Sequence, residues 1–423
     1  MFQWSEQHRM VQSMIRRFVE AEVVPHVEAL EHGDMLPYEV MRKLSSTFGL
    51  AEMQRGRFER IRKQHLSDEA ARARGESPTT EKAAKKEAGA EGGEGDQAAL
   101  QAIPIIELSR YCPGLVTAMG VSVGLTANAI LARGTFRQKE RWALPLLTLE
   151  KIGAWAITEP GSGSDAFGAM TASARPDPQN EGEYLLCGAK TFITNGPHAD
   201  TIVFICKLDR GEAAKDRKVV SFVLDRGMPG LTQSKALRKM GMHSSPTGEL
   251  FLDDVRVGRD RLIGEREDLS AREGAKETFG AERSGVLAMA LGMIERALEL
   301  SLAYARTRVQ FGRPIGDFQL IQLKLARMEV ARLNVQNLLF RVLEMAQAGA
   351  RPTLAEASAG KLYAAQATME VCLEAVQIHG GNGYMSEYHV EQLARDAKVL
   401  QIYGGTDEIQ VSQLARDLLS RER

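Results

Sequence analysis

A chain of 423 residues is longer than one hydrophobic core normally supports, so two or three packed domains are expected. Its 54 Lys+Arg stand against 55 Asp+Glu, a net charge of −1 that gives no global electrostatic reason to bind nucleic acid or an anionic membrane. Four cysteines scattered through the chain (Cys112, Cys187, Cys206 and Cys372) and no clustered histidines argue against a disulfide framework or a zinc site. Buried free thiols in a reducing, aqueous compartment, the cytoplasm, are the expectation. The first residues lack the basic start and apolar core of a signal peptide, and no uninterrupted apolar run approaches the ~20 residues of a bilayer span.

From Ser5 to about Leu50, the residues Val11, Met14, Ile15, Phe18 and Val23 recur at spacings of three and four, the pattern of an amphipathic helix. Residues from about 55 to 98 change character and end in the charged, Gly-rich string "SPTTEKAAKKEAGAEGGEGD". Such a composition buries too little area to offset ordering entropy, so a mobile surface insertion is expected there. Helical periodicity resumes in "ALQAIPIIELSRY" and "VTAMGVSVGLTANAILARG", where Ala118, Gly120, Ser122 and Gly124 would let another backbone or a ligand come close.

Between Gly153 and Val257 the period switches to that of strands. "EYLLCGAKTFITNG", "TIVFICKLD", "KVVSFVLDRG" and "GELFLDDVRV" are β-branched and aromatic runs bounded by turn residues, which predicts a small all-β domain. Further on, Ile321, Leu325, Met328, Val335, Leu339 and Val342 follow the three/four spacing of a long bundle helix, interrupted by Arg332. The expected fold is α+β, mainly α: an amino-terminal helical domain over 1–152, a middle β domain over 153–265 and a carboxy-terminal helical bundle over 266–423.

Five strings stand out in this order: "AITEPGSGSD" at 156–165, "GAKTFITNG" at 188–196, "RVQFGRPIGDFQLIQ" at 308–322, "QIHGGNGY" at 377–384 and "RDAKVLQIYGGTDEIQ" at 395–410. Any one alone is a plain turn or helix end. Together, over residues 100 to 415, they make the chain resemble the acyl-CoA dehydrogenase family. That resemblance implies a helical domain, a β-barrel or sandwich domain and a four-helix bundle, assembled as a homotetramer or dimer around FAD. It also implies an acyl-CoA substrate and an electron-transfer flavoprotein as electron acceptor, with no metal, nucleic acid or membrane partner.

Desaturating an acyl thioester needs a base for the α-proton, a stabiliser for the enolate-like oxygen and an electron acceptor. In "TEPGSGSD", Gly161 and Gly163 permit close backbone approach, and the resemblance makes Thr158 and Ser164 flavin contacts, with Ser164 also touching substrate. Phe192, Ile193 and Thr194 match positions where an aromatic and a hydroxyl meet the isoalloxazine; on the strand pattern alone, Phe192 reads as core. Arg308, Phe311 and Gln319 match residues that reach the dinucleotide of a neighbouring subunit, where Arg can pair with a pyrophosphate. Gln377, Gly380, Gly381, Thr406 and Glu408 complete the cofactor set. His379 invites a catalytic reading that we set aside, because the family position is variable and often apolar.

Many family members carry the catalytic Glu in the loop between Tyr and Gly-Thr, where this chain has Gly404. Isovaleryl-type and long-chain-type dehydrogenases instead carry it in a Glu-Arg pair at the start of a bundle helix. This chain has that pair, Glu282-Arg283, in "TFGAERSGVLAMALG". Glu282 is therefore the expected base, with Arg283, Gly404 and Gly405 beside the substrate; Glu273 and Glu277 are lesser candidates. This placement leans toward a branched-chain or medium to long acyl group. A flavin oxidase or monooxygenase on the same fold, or a non-catalytic flavoprotein lacking the loop base, are the alternatives.

Overall fold

The computed structural model describes residues 2–74 and 94–421, the side chains of 72, 94–96 and 275–281 apart. The chain begins with α1 (Glu6–Glu22), whose N-cap Ser5 side chain accepts from the His8 amide while His8 returns the bond. Ile15, Phe18 and Val19 face inward, whereas Met14 points to solvent. Two short helices follow, α2 (Val27–His32) and α3 (Tyr38–Thr47).

The charged segment does not behave as expected throughout. Residues 50–73 form a helix, α4 (Leu50–Ala73), residues 94–98 of the expected insertion open a further helix, and residues 75–93 lie outside the described residues. This helix carries no continuous apolar stripe, so periodicity could not announce it. Its anchors are single residues: Phe58 is buried and stacks on Phe136, His65 stacks on the same ring at 4.3 Å, and Arg62 pairs with Glu140.

Helix α5 (Glu94–Ser109) packs beneath α6 (Pro113–Arg133), which opens into a π-helical stretch at Gly120–Ala127. By length and hydropathy α6 would suffice to cross a bilayer, but it is docked against the first strand of the β domain. There the Ser122 hydroxyl accepts from the Gly153 amide at 2.9 Å, and Asn195 donates to the carbonyls of Ala118 and Gly153. Residues 136–147 complete the helical part as α7.

The middle domain is a seven-stranded sheet of β1 (Gly153–Ala156), β2 (Ser173–Pro176), β3 (Glu183–Thr194), β4 (Thr201–Leu208), β5 (Val219–Asp225), β6 (Leu231–Gln233) and β7 (Thr247–Gly258). Its order is β1-β4-β2-β3-β7-β6, with β5 also on β4. Strand β4 is buried at all eight positions because β1 and β5 cover its edges and apolar layers cover both faces. All four sequence-predicted strands are present; β1, β2 and β6 are too short to show a period. Strand β3 breaks register with β7 twice, between Leu186 and Gly188 and between Lys190 and Ile193.

The carboxy-terminal bundle comprises α8 (Ala271–Thr307), α9 (Gln319–Gln347), α10 (Leu354–His379) and α12 (Asp407–Ser420), with α11 (Val390–Lys398) packed on α10. A hairpin of β8 (Val309–Gln310) and β9 (Arg313–Pro314) joins α8 to α9. Met328, Val335, Leu339 and Leu343 of α9 enter one core shared with α1, α3 and α5. Arg332 interrupts that stripe without cost because it pairs with Glu329 on the solvent side. Helix α8 crosses α5 so closely that a β-carbon at Gly292 would stand 2.1 Å from the Ile106 carbonyl oxygen. The four thiols are free, and Cys187 departs from expectation in being only half-buried.

Candidate active site

The loop at residues 402–406 is held by side chains that approach from three helices. Gly404 and Gly405 both adopt positive φ, 62° and 93°, so the chain turns where a side chain would be strained. Beneath them, Gln410 of α12 donates to the Gly404 carbonyl at 3.1 Å and to the Gly405 carbonyl at 2.8 Å. Lys361 of α10 donates to the Gly405 carbonyl at 2.7 Å. Thr406 caps α12, its hydroxyl accepting from the Ile409 amide.

Glu282 comes up from α8 on the other side of this loop. A β-carbon built on Gly404 would stand 3.4 Å from both the carboxyl carbon and one carboxyl oxygen of Glu282. The helix thus delivers a carboxylate to the space that a loop side chain would fill. Glu282 is half-buried, and burial pushes its carboxyl up to about 7, with Arg283 and Lys361 pulling the other way. Tyr403 flanks it with its hydroxyl on the Met289 sulfur at 3.1 Å; burial, then the charge of Glu282, raises its phenol above the ordinary range.

Arg283 sits beneath the loop. Expected beside the substrate, it is buried there, donating to the Ser358 hydroxyl at 3.0 Å and to the Gly404 carbonyl at 3.4 Å. Through its Nε, Arg283 braces the loop. Glu273 is exposed in the first turn of α8, far in character from the half-buried Glu282, and the side chain of Glu277 lies outside the described residues.

A second set of residues gathers on the sheet. The loop after β1 is pinned by a buried ion pair: Lys190 donates to Glu159 at 2.9 Å and to the Ile157 carbonyl at 2.9 Å. Glu159 also accepts from Thr171 and from the Ala172 amide. Burial raises its carboxyl, and Lys190 with the Thr171 bonds outweighs that, so it stays below the usual range. Thr158 and Thr191 are joined by a backbone bond of 2.9 Å, which sets the two segments side by side.

One residue on, Phe192 is 69% exposed at φ 56°, at the register break of β3. A phenylalanine displayed in a left-handed conformation is not core, contrary to the strand-pattern reading. Ile193 beside it is buried in the sheet core, and Thr194 is half-buried. Gly161 and Gly163 have open space where a β-carbon would stand, and Ser164 is exposed next to them. An apolar ring, open glycines and hydroxyls on two segments joined by the Thr158–Thr191 bond fit a flat, partly apolar cofactor.

The remaining expected cofactor residues are divided. Phe311 tips the β8–β9 hairpin, 93% exposed at φ 51°, and Arg308 and Gln319 are exposed nearby. Gln377, Gly380 and Gly381 are exposed at the end of α10, where Gly380 turns to φ 59°, and Glu408 is exposed on α12. Gly383 must be glycine, because a β-carbon there would meet the Val376 carbonyl at 2.3 Å. His379 is buried, bonded to the Ala375 carbonyl and stacked on Tyr304. Sequence reasoning passed over Lys361, Gln410, Lys190 and Glu159. A lone Lys inside "EASAGKLYAAQA" was the one available signal.

Family models for the amino-terminal, middle and carboxy-terminal domains of acyl-CoA dehydrogenases match residues 5–55 with 62–150, 154–255 and 273–419. The chain belongs to the acyl-CoA dehydrogenase family. Among acyl-CoA dehydrogenases, it is 38% identical to the short-chain specific enzyme of Megasphaera elsdenii over 323 residues, 76% of this chain and 82% of that one. The solved structure of butyryl-CoA dehydrogenase from Megasphaera elsdenii superposes with a TM-score of 0.81 at 32% identity, covering 99% and 100% of the two chains. The glutaryl-CoA dehydrogenase complex with glutaryl-CoA gives 0.82 at 28% identity, over 99% and 96%. Acyl-CoA dehydrogenases are FAD-dependent enzymes, and the displayed Phe192 with its open glycine loop fits that cofactor.

Proposed function

We propose that this acyl-CoA dehydrogenase forms a double bond between the α and β carbons of a short, branched acyl-CoA, with Glu282 taking the α-proton. The observation that carries the reading is the position of the Glu282 carboxyl against the vacant side of Gly404. A half-buried carboxylate held near neutral protonation is suited to accept a proton from a weak carbon acid. The α C–H bond breaks toward Glu282, and its electron pair becomes the new π bond as hydride departs from the β-carbon. When bound, FAD supplies the acceptor for that hydride. Thr158, Phe192 and Thr194 would hold its ring system, and Gly380, Gly381 and Gln377 its dinucleotide.

Two lines support the substrate class. The relatives described above are named for short-chain and glutaryl substrates. A base carried on the bundle helix resembles the isovaleryl-type arrangement, in which the cavity near the loop is reshaped for a branch. A short branched chain satisfies both. An electron-transfer flavoprotein is the acceptor we assign, and a second copy of the chain is the partner that would cover the exposed Phe311 hairpin. Free thiols suit a cytoplasmic setting.

The test is anaerobic titration of the yellow protein with butyryl-, isobutyryl-, isovaleryl-, octanoyl- and palmitoyl-CoA, following flavin absorbance, alongside Glu282→Gln. The wild type should bleach most readily with a short branched thioester, and the variant should bind it without bleaching. Rapid bleaching of Glu282→Gln would remove Glu282 from the role, and failure of every thioester to bleach the wild type would favour a non-catalytic flavoprotein.

A further inference from the structure

We infer that Lys361 is a positioning residue of the active site: its ammonium clamps the Gly405 carbonyl and fixes the loop and Glu282 in one electrostatic unit. The inference rests on Glu282 being the base. Lys361 is fully buried in α10, with its Nζ 2.7 Å from the Gly405 carbonyl oxygen and 3.8 Å from the Asp407 carboxylate. An ammonium is among the costliest groups to bury, and a Met or Leu would fill the same volume without that penalty. A packing role therefore does not account for it.

The loop offers its carbonyls to three donors from three helices: Arg283 from α8, Gln410 from α12 and Lys361 from α10. Arg283 is adjacent in sequence to Glu282, so the group that braces the loop and the proposed base ride on the same helical turn. Lys361 ties that unit to α10. The charged groups acting on it are Asp407 from α12 and Arg283 with Glu282 from α8. Burial draws the ammonium down to about 8, with Asp407 opposing, so it remains a cation at neutral pH. Lys361 and Arg283 in turn are the two cations that favour the ionised form of Glu282. Without Lys361, the loop loses a clamp and Glu282 holds its proton to higher pH.

The experiment uses the FAD-loaded enzyme with isovaleryl-CoA, or whichever thioester bleaches the wild type best, and compares Lys361→Met, Lys361→Gln and Lys361→Arg with Glu282→Gln. Flavin content and the pH profile of kcat/KM are recorded for each. Both neutral variants should move the acid limb upward by about one pH unit and lower kcat about tenfold with KM changed less. Lys361→Arg should leave the limb near its original place. A limb that stays put in the neutral variants, with only thermal stability lost, makes Lys361 structural and overturns the inference. If Lys361→Met does not fold, Lys361→Gln, which keeps a donor without the charge, decides in its place. Glu282→Gln separates the two claims: retained flavin reduction there defeats the base assignment itself, whereas lost reduction with an unmoved limb defeats only the role of Lys361.

Discussion

The carboxyl of Glu282 and the α-carbon of Gly404 face one another in van der Waals reach: a β-carbon on Gly404 would sit 3.4 Å from the carboxyl carbon, so a longer side chain there would extend into the space the carboxyl occupies. Glu282 lies on α8 and Gly404 in the loop before α12, and the two meet only after folding. Their juxtaposition means that a carboxylate supplied by either element would reach the same space. It also means that two carboxylates there would repel.

Transposing the base should therefore work where adding one fails. Gly404→Glu alone is expected to lower activity more than tenfold and to lower stability, because a like charge meets Glu282 and φ of 62° strains any residue but glycine. Glu282→Gly combined with Gly404→Glu should recover at least about tenfold in kcat over Glu282→Gly alone, with preference shifted to straight chains. Rates on butyryl- and isovaleryl-CoA check this, and a double variant no faster than the single one refutes it.

Activity should rise with pH through about 7, since Glu282 must be ionised to accept a proton. Stability runs the other way. A carboxyl whose folded value lies above its unfolded value of about 4.5 binds more protons when folded, so its contribution is full at low pH and is lost as pH rises toward about 7. Glu282→Gln should consequently raise the melting temperature relative to wild type at pH 8 and make little difference at pH 5. The difference should not exceed about 3 kcal/mol, less for the solvent that reaches the group.

Breaking the buried Lys190–Glu159 pair should be costly. Lys190→Met leaves a carboxylate without its cation, an expected loss of about 3–5 kcal/mol, seen by denaturant unfolding. Replacing both partners, Lys190→Met with Glu159→Gln, should cost less than the sum of the singles. A single variant within about 1 kcal/mol of wild type would show that the pair does not hold the loop.

Phe192 separates cofactor binding from folding. With the ring exposed at positive φ, Phe192→Gly should change stability of the FAD-free protein by less than about 1 kcal/mol, on the stabilising side if relief of strain dominates. The same variant should retain markedly less FAD on gel filtration. Unchanged flavin content would return Phe192 to an ordinary surface role.

Gly292→Ala tests the crossing that places α8, and with it Glu282. The added methyl would lie 2.1 Å from the Ile106 carbonyl oxygen, where backbone rather than a side chain must yield. A loss of about 1–3 kcal/mol is expected, with a melting temperature at wild-type level as the contrary result.

Much of this architecture is legible one residue at a time. Strands β3, β5 and β7 are long enough for their branched and aromatic residues to show a period, β4 is marked by its unbroken apolar run, and α9 shows its stripe, because side-chain direction follows directly from backbone repeat. Helix α4 does not, because its place is set by isolated anchors such as Phe58 rather than by a face. Phe192 reads as core until a register break turns it outward, an event fixed by the partner strand β7 and not by the residue's own neighbours.

The sequence by itself determined the order of helices, sheet and bundle, the Glu-Arg pair at 282–283 and the absence of a side chain at 404, since composition and local spacing carry those. Only the tertiary structure decided that these distant positions occupy one place, that Arg283 lies under the loop, and that Lys361 reaches it from a third helix. Contacts of that kind depend on how helices cross, and crossing is fixed by the whole core, such as the bare backbone of Gly292 against Ile106, which no local period encodes.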